Sequence, residues 1–179
     1  MLHCAAQGDA PYSLAFFLKH TGLSINSEDR SQSTPLHWAC ISRSYTTIRF
    51  LLAWKARVDC TDKSGYTPLH LVLRDLEENE SVAKQLIKIL LSYNASLHAR
   101  DRFYRVPMDY IKNYTNAKLQ IETYQLIDSC TSCKTLISGS HTLCNNDSAF
   151  VRLRAKFFST FISISMVGLM MLQVYHIYP

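Results

Sequence analysis

The sequence lacks the short motifs on which most enzymes depend. It has no Ser-His-Asp set and no paired acidic residues that stand out, and with five glycines it has no Gly-rich phosphate loop. Its 19 Lys and Arg residues are scattered and form no stripe, which gives nucleic-acid binding little support. The N-terminus lacks the basic stretch and apolar run of a signal peptide. We therefore expect no cofactor, no nucleic-acid partner and no secretion signal.

The composition is that of a chain with a folded core. Hydrophobic residues make up 47% of the sequence, which includes ten Tyr and eight Phe, and the net charge is +5. These values exclude a disordered tail of one charge sign. We expect the first three cysteines, Cys4, Cys40 and Cys60, to be reduced thiols buried in that core.

One tetrapeptide occurs twice in the same register. Its two copies consist of Thr34, Pro35, Leu36 and His37, and of Thr67, Pro68, Leu69 and His70. Leu2-His3 matches its second half 34 residues before the first copy, and Val106–Asp109 is a worn copy 39 residues after the second. A period near 33 with this phrase resembles the ankyrin repeat. The resemblance implies an all-α solenoid of about four repeats over residues 1–128, the first incomplete and the last degenerate. The repeats cover about 1–30, 31–63, 64–101 and 102–128.

The residues of the phrase suit the start of a helix. Thr34 and Thr67 can cap the helix with their hydroxyls, and proline follows where a missing N–H does no harm. The repeat motif implies that the histidines are structural and tie adjacent turns together. We expect second helices at 14–19, 46–53 and 82–92. No repeat can bury both of its helices alone, so neighbours must stack.

The third and first repeats depart from the period. The third is longer by six residues, and Leu76–Ser81 is polar enough for a loop between its helices. The first begins in the middle of the phrase, so we expect the apolar inner face of its first helix to be exposed and residues to be missing upstream.

The stretch 129–150 reads as a polar linker rich in Cys, Ser, Thr and Asn. Four possible zinc ligands occur in it: Cys130, Cys133, His141 and Cys144. They could close a tetrahedral site, but we favour a flexible linker with incidental cysteines, because the stretch has few apolar residues. Acylation of Cys144 is a further alternative.

The last part of the chain predicts a membrane span. Residues 157–175 are 19 residues without Asp, Glu, Lys or Arg, preceded by Arg152, Arg154 and Lys156. As a helix they would be about 28 Å long, close to the thickness of a hydrocarbon core. The basic residues before the span place the repeats in the cytosol. A helix lying in the membrane interface is the alternative.

Three stretches together resemble the ankyrin-repeat subgroup of the Asp-His-His-Cys protein S-acyltransferases. They are Thr34–Ala39 (TPLHWA), Arg49–Lys63 (RFLLAWKARVDCTDK) and Phe150–Phe158 (FVRLRAKFF). The resemblance implies a cytosolic arm that recruits substrates on a Golgi or vesicle membrane. The Asp-His-His-Cys segment itself is absent, so the chain carries no catalytic cysteine of that family. A non-catalytic, tail-anchored ankyrin adaptor is the alternative.

Trp38 occupies a position where the repeat does not call for so large a side chain. The residue after Leu-His in an ankyrin repeat faces the concave surface, and the other repeats have Cys4 and Leu71 there. The family resemblance implies that Trp38, with Gln7 one repeat earlier, holds an extended, Pro-containing peptide of a client protein. The alternative is that Trp38 covers the seam between repeats.

Overall fold

The computed structural model describes residues 1–137, and side chains as far as Ser132. Its seven α-helices are α1 (Leu2–Gln7), α2 (Pro11–Thr21), α3 (Pro35–Ile41), α4 (Tyr45–Ala53), α5 (Pro68–Arg74), α6 (Glu80–Ser92) and α7 (Ala117–Ile137). Two 3₁₀ helices, Leu76–Glu78 and Pro107–Asn113, lie on either side of α6. Within these residues there is no strand, which confirms the all-α prediction for the repeat region.

The helices stack in two layers. In the inner layer α1 packs on α3, α3 on α5, and α5 on the Pro107–Asn113 helix. In the outer layer α2 contacts α4, and α4 contacts α6. The inner helices α1, α3 and α5 also pack on the outer helices α2, α4 and α6 of their own repeats. This arrangement is the stacked helix pair that the repeat period predicted.

Apolar side chains from both layers form one continuous core. The leucine of each copy of the phrase is buried, with Leu2, Leu36 and Leu69 exposing 2%, 1% and 1% of their surface. Burial of one such side chain contributes about 2 kcal/mol. Because each leucine lies between neighbouring repeats, much of this stabilisation exists only in the stack.

The first repeat differs from the expectation for its apolar face. Leu2, Ala5 and Ala6 of α1 are buried, because α1 packs on both α2 and α3. The exposed apolar side chains of this repeat include Tyr12 and Phe16 of α2, which expose 59% and 49% of their surface.

The third repeat holds its extra residues close to the stack. The expected polar loop contains the Leu76–Glu78 3₁₀ helix, and the Leu76 side chain is fully buried. Arg43 of the second repeat pairs with Glu78 at 3.6 Å, and the Thr115 amide donates to Glu77 Oε1 at 2.6 Å. The insertion therefore contacts the repeats on both sides.

Two further expectations were wrong in part. Residues 129–137, assigned to the linker, continue α7. Of the three cysteines expected in the core only Cys40 is buried, whereas Cys60 is half-buried and Cys4 is exposed. Cys4 lies on the face of α1 opposite to its buried residues, and Cys60 lies outside any helix.

The predicted membrane segment lies outside the described residues. The same holds for Arg152, Arg154 and Lys156 before it. In the part of the chain that the structure describes, no helix combines the length and the apolar composition that a membrane span requires.

Candidate protein-binding surface

The buried histidine of the second repeat connects two repeats. Nδ1 of His37 accepts a hydrogen bond from the Thr34 amide at 3.1 Å, which caps α3. Nε2 lies 3.0 Å from the Tyr66 carbonyl of the next repeat, and we assign the proton to this nitrogen because a carbonyl can only accept. One side chain thus satisfies a helix end and a neighbouring turn.

The same arrangement recurs at His70. Its Nδ1 accepts from the Thr67 amide at 3.1 Å, and its Nε2 donates to the Arg105 carbonyl at 3.4 Å. Burial lowers the pKa of both His37 and His70, although the carbonyl contacts and nearby carboxylates oppose the shift. Both rings are therefore neutral at pH 7. Only a neutral imidazole can donate to a carbonyl through one nitrogen and accept from an amide through the other.

A recurring aspartate shapes the turn before each inner helix. Oδ1 of Asp29, Asp62 and Asp101 accepts the backbone N–H groups two and four residues ahead, over distances of 2.7 to 2.9 Å. The sequence analysis missed these residues. Their signal is an Asp eight residues before His37, His70 and Asp109. Each carboxylate thus accepts backbone N–H groups of the turn that would otherwise lack a partner, and so holds the turn in shape.

Adjacent turns are joined through their backbones. The Lys63 amide donates to the Ser31 carbonyl at 2.8 Å, and the Arg102 amide donates to the Ser64 carbonyl at 3.1 Å. Gly65 has a φ of +81°, and a Cβ there would lie 2.8 Å from the Arg102 backbone nitrogen. Only glycine suits both this conformation and this close approach.

Trp38 is fixed through its indole nitrogen. The N–H donates to Oδ2 of Asp29 at 2.8 Å, while the half-buried ring packs against the core. Burial alone would raise the pKa of Asp29, but the bonds from Trp38 and from the Ser33 and Ser31 amides outweigh it and lower the pKa. The ring thus has a defined orientation and an N–H that is already bonded.

Tyr110 occupies in the fourth repeat the position of Trp38 in the second. Like Trp38 it lies nine residues after the aspartate of its turn, and its hydroxyl donates to Oδ2 of Asp101 at 2.6 Å. The sequence analysis compared Trp38 only with Cys4 and Leu71 and missed this second large aromatic of the row, because the degenerate phrase Val106–Asp109 hid the register. Burial disfavours the Asp101 charge, but the bonds from Tyr110 and from the Arg105 and Phe103 amides lower its pKa to about 2.

The row Cys4, Trp38, Leu71 and Tyr110 is not uniformly open to solvent. Leu71 and Tyr110 expose 3% and 5% of their surface, whereas Trp38 is half-buried and Cys4 is exposed. A peptide therefore has access to this row mainly in the first two repeats.

A second row lies one helical turn further on, at Gln7, Ile41 and Arg74. Gln7 is exposed, and its carbonyl accepts from the Ser44 hydroxyl at 3.0 Å. Ile41 exposes 43% of its surface. Since residues three apart share a helix face, Ile41 lies beside Trp38, and Gln7 beside Cys4. Gln7 and Trp38 thus belong to the same inner layer but make no direct hydrogen bond in the described part of the chain.

The fourth repeat gathers aromatic and cationic groups. The Arg105 guanidinium lies 4.8 Å from the centre of the Phe103 ring and 4.7 Å from that of Tyr110. Tyr66 and Tyr110 meet edge to face with 6.1 Å between their centroids. Such groups are enriched in protein interfaces.

The structure describes only part of the cysteine cluster. Cys130 lies half-buried in α7, and the backbone of Cys133 belongs to the same helix. His141 and Cys144 lie outside the described residues. Among the residues that are described, no group of His, Cys, Asp and Glu could hold a metal ion.

Residues 2–101 of the chain match a protein family that is described as ankyrin repeats in three copies. More than half of the chain is covered, and it belongs to the ankyrin-repeat family. The match agrees with the stacked helix pairs and with the recurring capping residues described above.

Several curated proteins resemble parts of the chain. An ankyrin repeat-containing protein of Schizosaccharomyces pombe is 37% identical over 36% of this chain and 28% of its own length. Rabankyrin-5 of mouse is 32% identical over 59% of this chain and 10% of its own length. A homologue of the transient receptor potential cation channel subfamily A member 1 of Caenorhabditis elegans is 24% identical over 65% of this chain and 11% of its own length. The chain thus spans less than a third of each. These names give no support for the acyltransferase resemblance.

Proposed function

We propose that the repeats recruit a partner protein by holding an extended, proline-containing segment of it against Trp38. Ankyrin repeats generally mediate contacts between proteins, and the chain has the geometry of that family. The single observation that supports Trp38 is its fixed yet partly exposed indole. The bond to Asp29 orders the ring before a partner arrives, so little side-chain entropy is lost on binding.

The neighbours of Trp38 suit an extended peptide. A flat indole face packs well on a proline ring, and the exposed Ile41 extends the apolar surface by one helical turn. Gln7 can donate to and accept from a peptide backbone. The indole N–H is already bonded to Asp29, so Trp38 acts through its ring face.

We further propose that this recruitment serves an S-acyltransferase on a membrane. The support is the sequence alone: the phrases Thr34–Ala39 and Arg49–Lys63, and the basic, then apolar, segment 151–175. Holding a client near a membrane enzyme would raise its effective concentration there. In the alternative, an ankyrin adaptor recruits the partner for another purpose. In both proposals this chain binds and does not catalyse.

Trp38→Ala tests the binding proposal, with Trp54→Ala as the matched control. Trp54 lies after α4, exposes 41% of its surface and stacks on Phe50. Peptides selected from a random displayed library on the full chain serve as probes. We expect proline-containing peptides, and a loss of about thirtyfold in their affinity in Trp38→Ala but not in Trp54→Ala.

The fold of the variant has to be checked, because Trp38 also packs on the core. Trp38→Phe keeps an aromatic ring on the core but loses the bond to Asp29 and part of the ring face, so it should stay folded and bind with an affinity between those of wild type and Trp38→Ala. Equal affinity of wild-type protein and a stably folded Trp38→Ala would refute the proposal.

Carbonate extraction tests the membrane proposal. A chain that spans the bilayer through 157–175 stays with the membrane pellet at high pH. Release into the supernatant would leave only a surface association.

A further inference from the structure

The turn Arg100–Arg105, which we name the fourth turn, exposes two aromatic side chains. Phe103 and Tyr104 expose 69% and 78% of their surface, more than any other aromatic Phe, Tyr or Trp residue in the described part of the chain. Neighbouring exposed aromatics of this size are uncommon on a protein surface unless something covers them.

The backbone at Tyr104 is poorly suited to tyrosine. Its φ is +60°, in the left-handed region that favours glycine. The equivalent positions of the two preceding turns are Gln32, with a φ of +58°, and Gly65, with a φ of +81°. Tyr104 is the one aromatic residue at positive φ among those described, and its exposed ring makes no core contact that would explain it. Strain of this kind at an exposed site points to a functional role.

The fourth turn is also locally cationic. Arg100 and Arg102 are exposed, and Arg105 lies over the Phe103 ring. The only acid in the turn is Asp101, which is 5% exposed and accepts from two amides of the turn, from Tyr110 and, at 3.0 Å, from the Arg105 guanidinium. The surface therefore presents the two exposed guanidinium groups of Arg100 and Arg102 and two aromatic rings, with no exposed carboxylate in the turn.

The preceding turns show that this is a local feature. In them one exposed cation, Arg30 or Lys63, follows the aspartate, and no exposed aromatic accompanies it. The cation after the aspartate therefore recurs in all three turns, whereas Arg100, which replaces Glu28 and Thr61 of the earlier turns, and the two exposed rings are specific to the fourth. This local pairing of cations with aromatic rings fits a brief acidic segment with an apolar side chain better than a nucleic acid, which presents one phosphate after another.

We infer that the fourth turn binds an acidic segment of a partner protein. The forked guanidinium groups of Arg100 and Arg102 pair with its carboxylates, since Arg matches that geometry with two parallel hydrogen bonds. Phe103 and Tyr104 cover an apolar side chain beside them. The inference rests on the proposed function in one respect, that the stack binds a protein segment, but it does not require Trp38.

Tyr104→Gly separates binding from folding. Because glycine relieves the backbone strain and no core packing is lost, the variant should melt at the same temperature as wild type or higher. Acidic peptides selected from a random displayed library on the full chain should bind it at least about tenfold more weakly. Gln32→Gly is the matched control, with the same change at the same place in the second turn, and should keep full affinity.

Arg102→Ala and Arg30→Ala form a second matched pair. The first should weaken acidic peptides about tenfold and reduce the salt dependence of binding, and the second should change neither. Unchanged affinity in both Tyr104→Gly and Arg102→Ala would overturn the inference, as would a selection that yields no acidic peptides.

The remaining outcomes are also decisive. Proline-containing peptides that depend on Trp38, without acidic peptides, would leave the proposed function standing and refute the fourth turn. Acidic peptides that depend on the fourth turn alone would do the reverse. If polyuridine RNA or phosphatidylserine vesicles bind through Tyr104 and Arg102 while acidic peptides do not, the partner class is wrong.

Discussion

The second and fourth repeats begin their inner helices with different chemistry. In the second, His37 accepts from the Thr34 amide and donates to the Tyr66 carbonyl, so it both caps its helix and holds the next turn. In the fourth, Asp109 accepts from the Val106 amide at 3.0 Å and has no N–H with which to reach further. The second repeat starts an α-helix and the fourth a 3₁₀ helix. A side chain with both a donor and an acceptor suits a repeat inside a stack, whereas a carboxylate that caps its helix has no proton to donate to the carbonyl of a next turn.

The largest expected effect comes from removing the bridging histidine. His37→Ala leaves the Tyr66 carbonyl and the Thr34 amide without partners in a buried place, which should lower the free energy of unfolding by about 3 kcal/mol. Asp109→Ala removes a cap and an exposed ion pair with Lys112, and should cost about 1 kcal/mol. Urea unfolding followed by helical circular dichroism measures both. Equal losses would mean that the bridge adds nothing to the cap.

Gly65→Ala tests the contact between the third and fourth turns. The added methyl group meets the Arg102 backbone at 2.8 Å at a φ of +81°, so we expect a loss of about 2 kcal/mol. Gly22→Ala is the control, with a φ of +65° and no atom within 4 Å of the new Cβ. It carries only the backbone strain, about 1 kcal/mol. Thermal melting of the pair isolates the steric part, and identical melting temperatures would argue against the close approach.

Val106→Thr would bring the fourth repeat closer to the second. The new hydroxyl provides the cap that valine lacks at nearly the same volume, so stability should rise by about 0.5 kcal/mol. The reverse change, Thr67→Val, should cost more, because the Thr67 hydroxyl is buried and lies 2.8 Å from His70 Nδ1. A loss of stability in Val106→Thr would show that the fourth repeat does not use the capping scheme of the second.

Mild acid should produce the smallest change and should act on the second and third repeats. The folded-state pKa values of His37 and His70 are lowered, so the unfolded chain binds protons first. Stability is therefore complete above the unfolded histidine pKa of about 6.5 and falls as the pH drops below it. The pKa values of the Asp29 and Asp101 carboxyls are lowered in the folded state. Their contribution to stability is therefore lost only as the pH falls below the unfolded aspartate pKa of about 4. Urea unfolding at pH 7 and pH 5 should show this loss, and His37→Gln should reduce it.

The sequence predicted the fold well because the repeat phrase carries its own physical meaning. Threonine, proline and histidine at Thr34–His37 and Thr67–His70 specify a capped helix start, and the two copies fix the period. Where the phrase was worn, at Val106–Asp109, the register was lost and Tyr110 was overlooked. The role of Asp29, Asp62 and Asp101 could equally have been predicted from their spacing. Each stands eight residues before the side chain that caps the inner helix of its repeat.

The sequence by itself determined the local features of this protein: an ankyrin-repeat chain, its helix starts and the odd position of Trp38. Only the tertiary structure decided which members of one row are open to solvent, because burial depends on the neighbouring repeat and not on the residue. In the stack Leu71 and Tyr110 are buried, Cys4 is exposed, and the Asp29 carboxylate accepts from the indole N–H of Trp38. The tertiary structure also revealed the positive φ of Tyr104, since a strained backbone leaves no mark on composition or period.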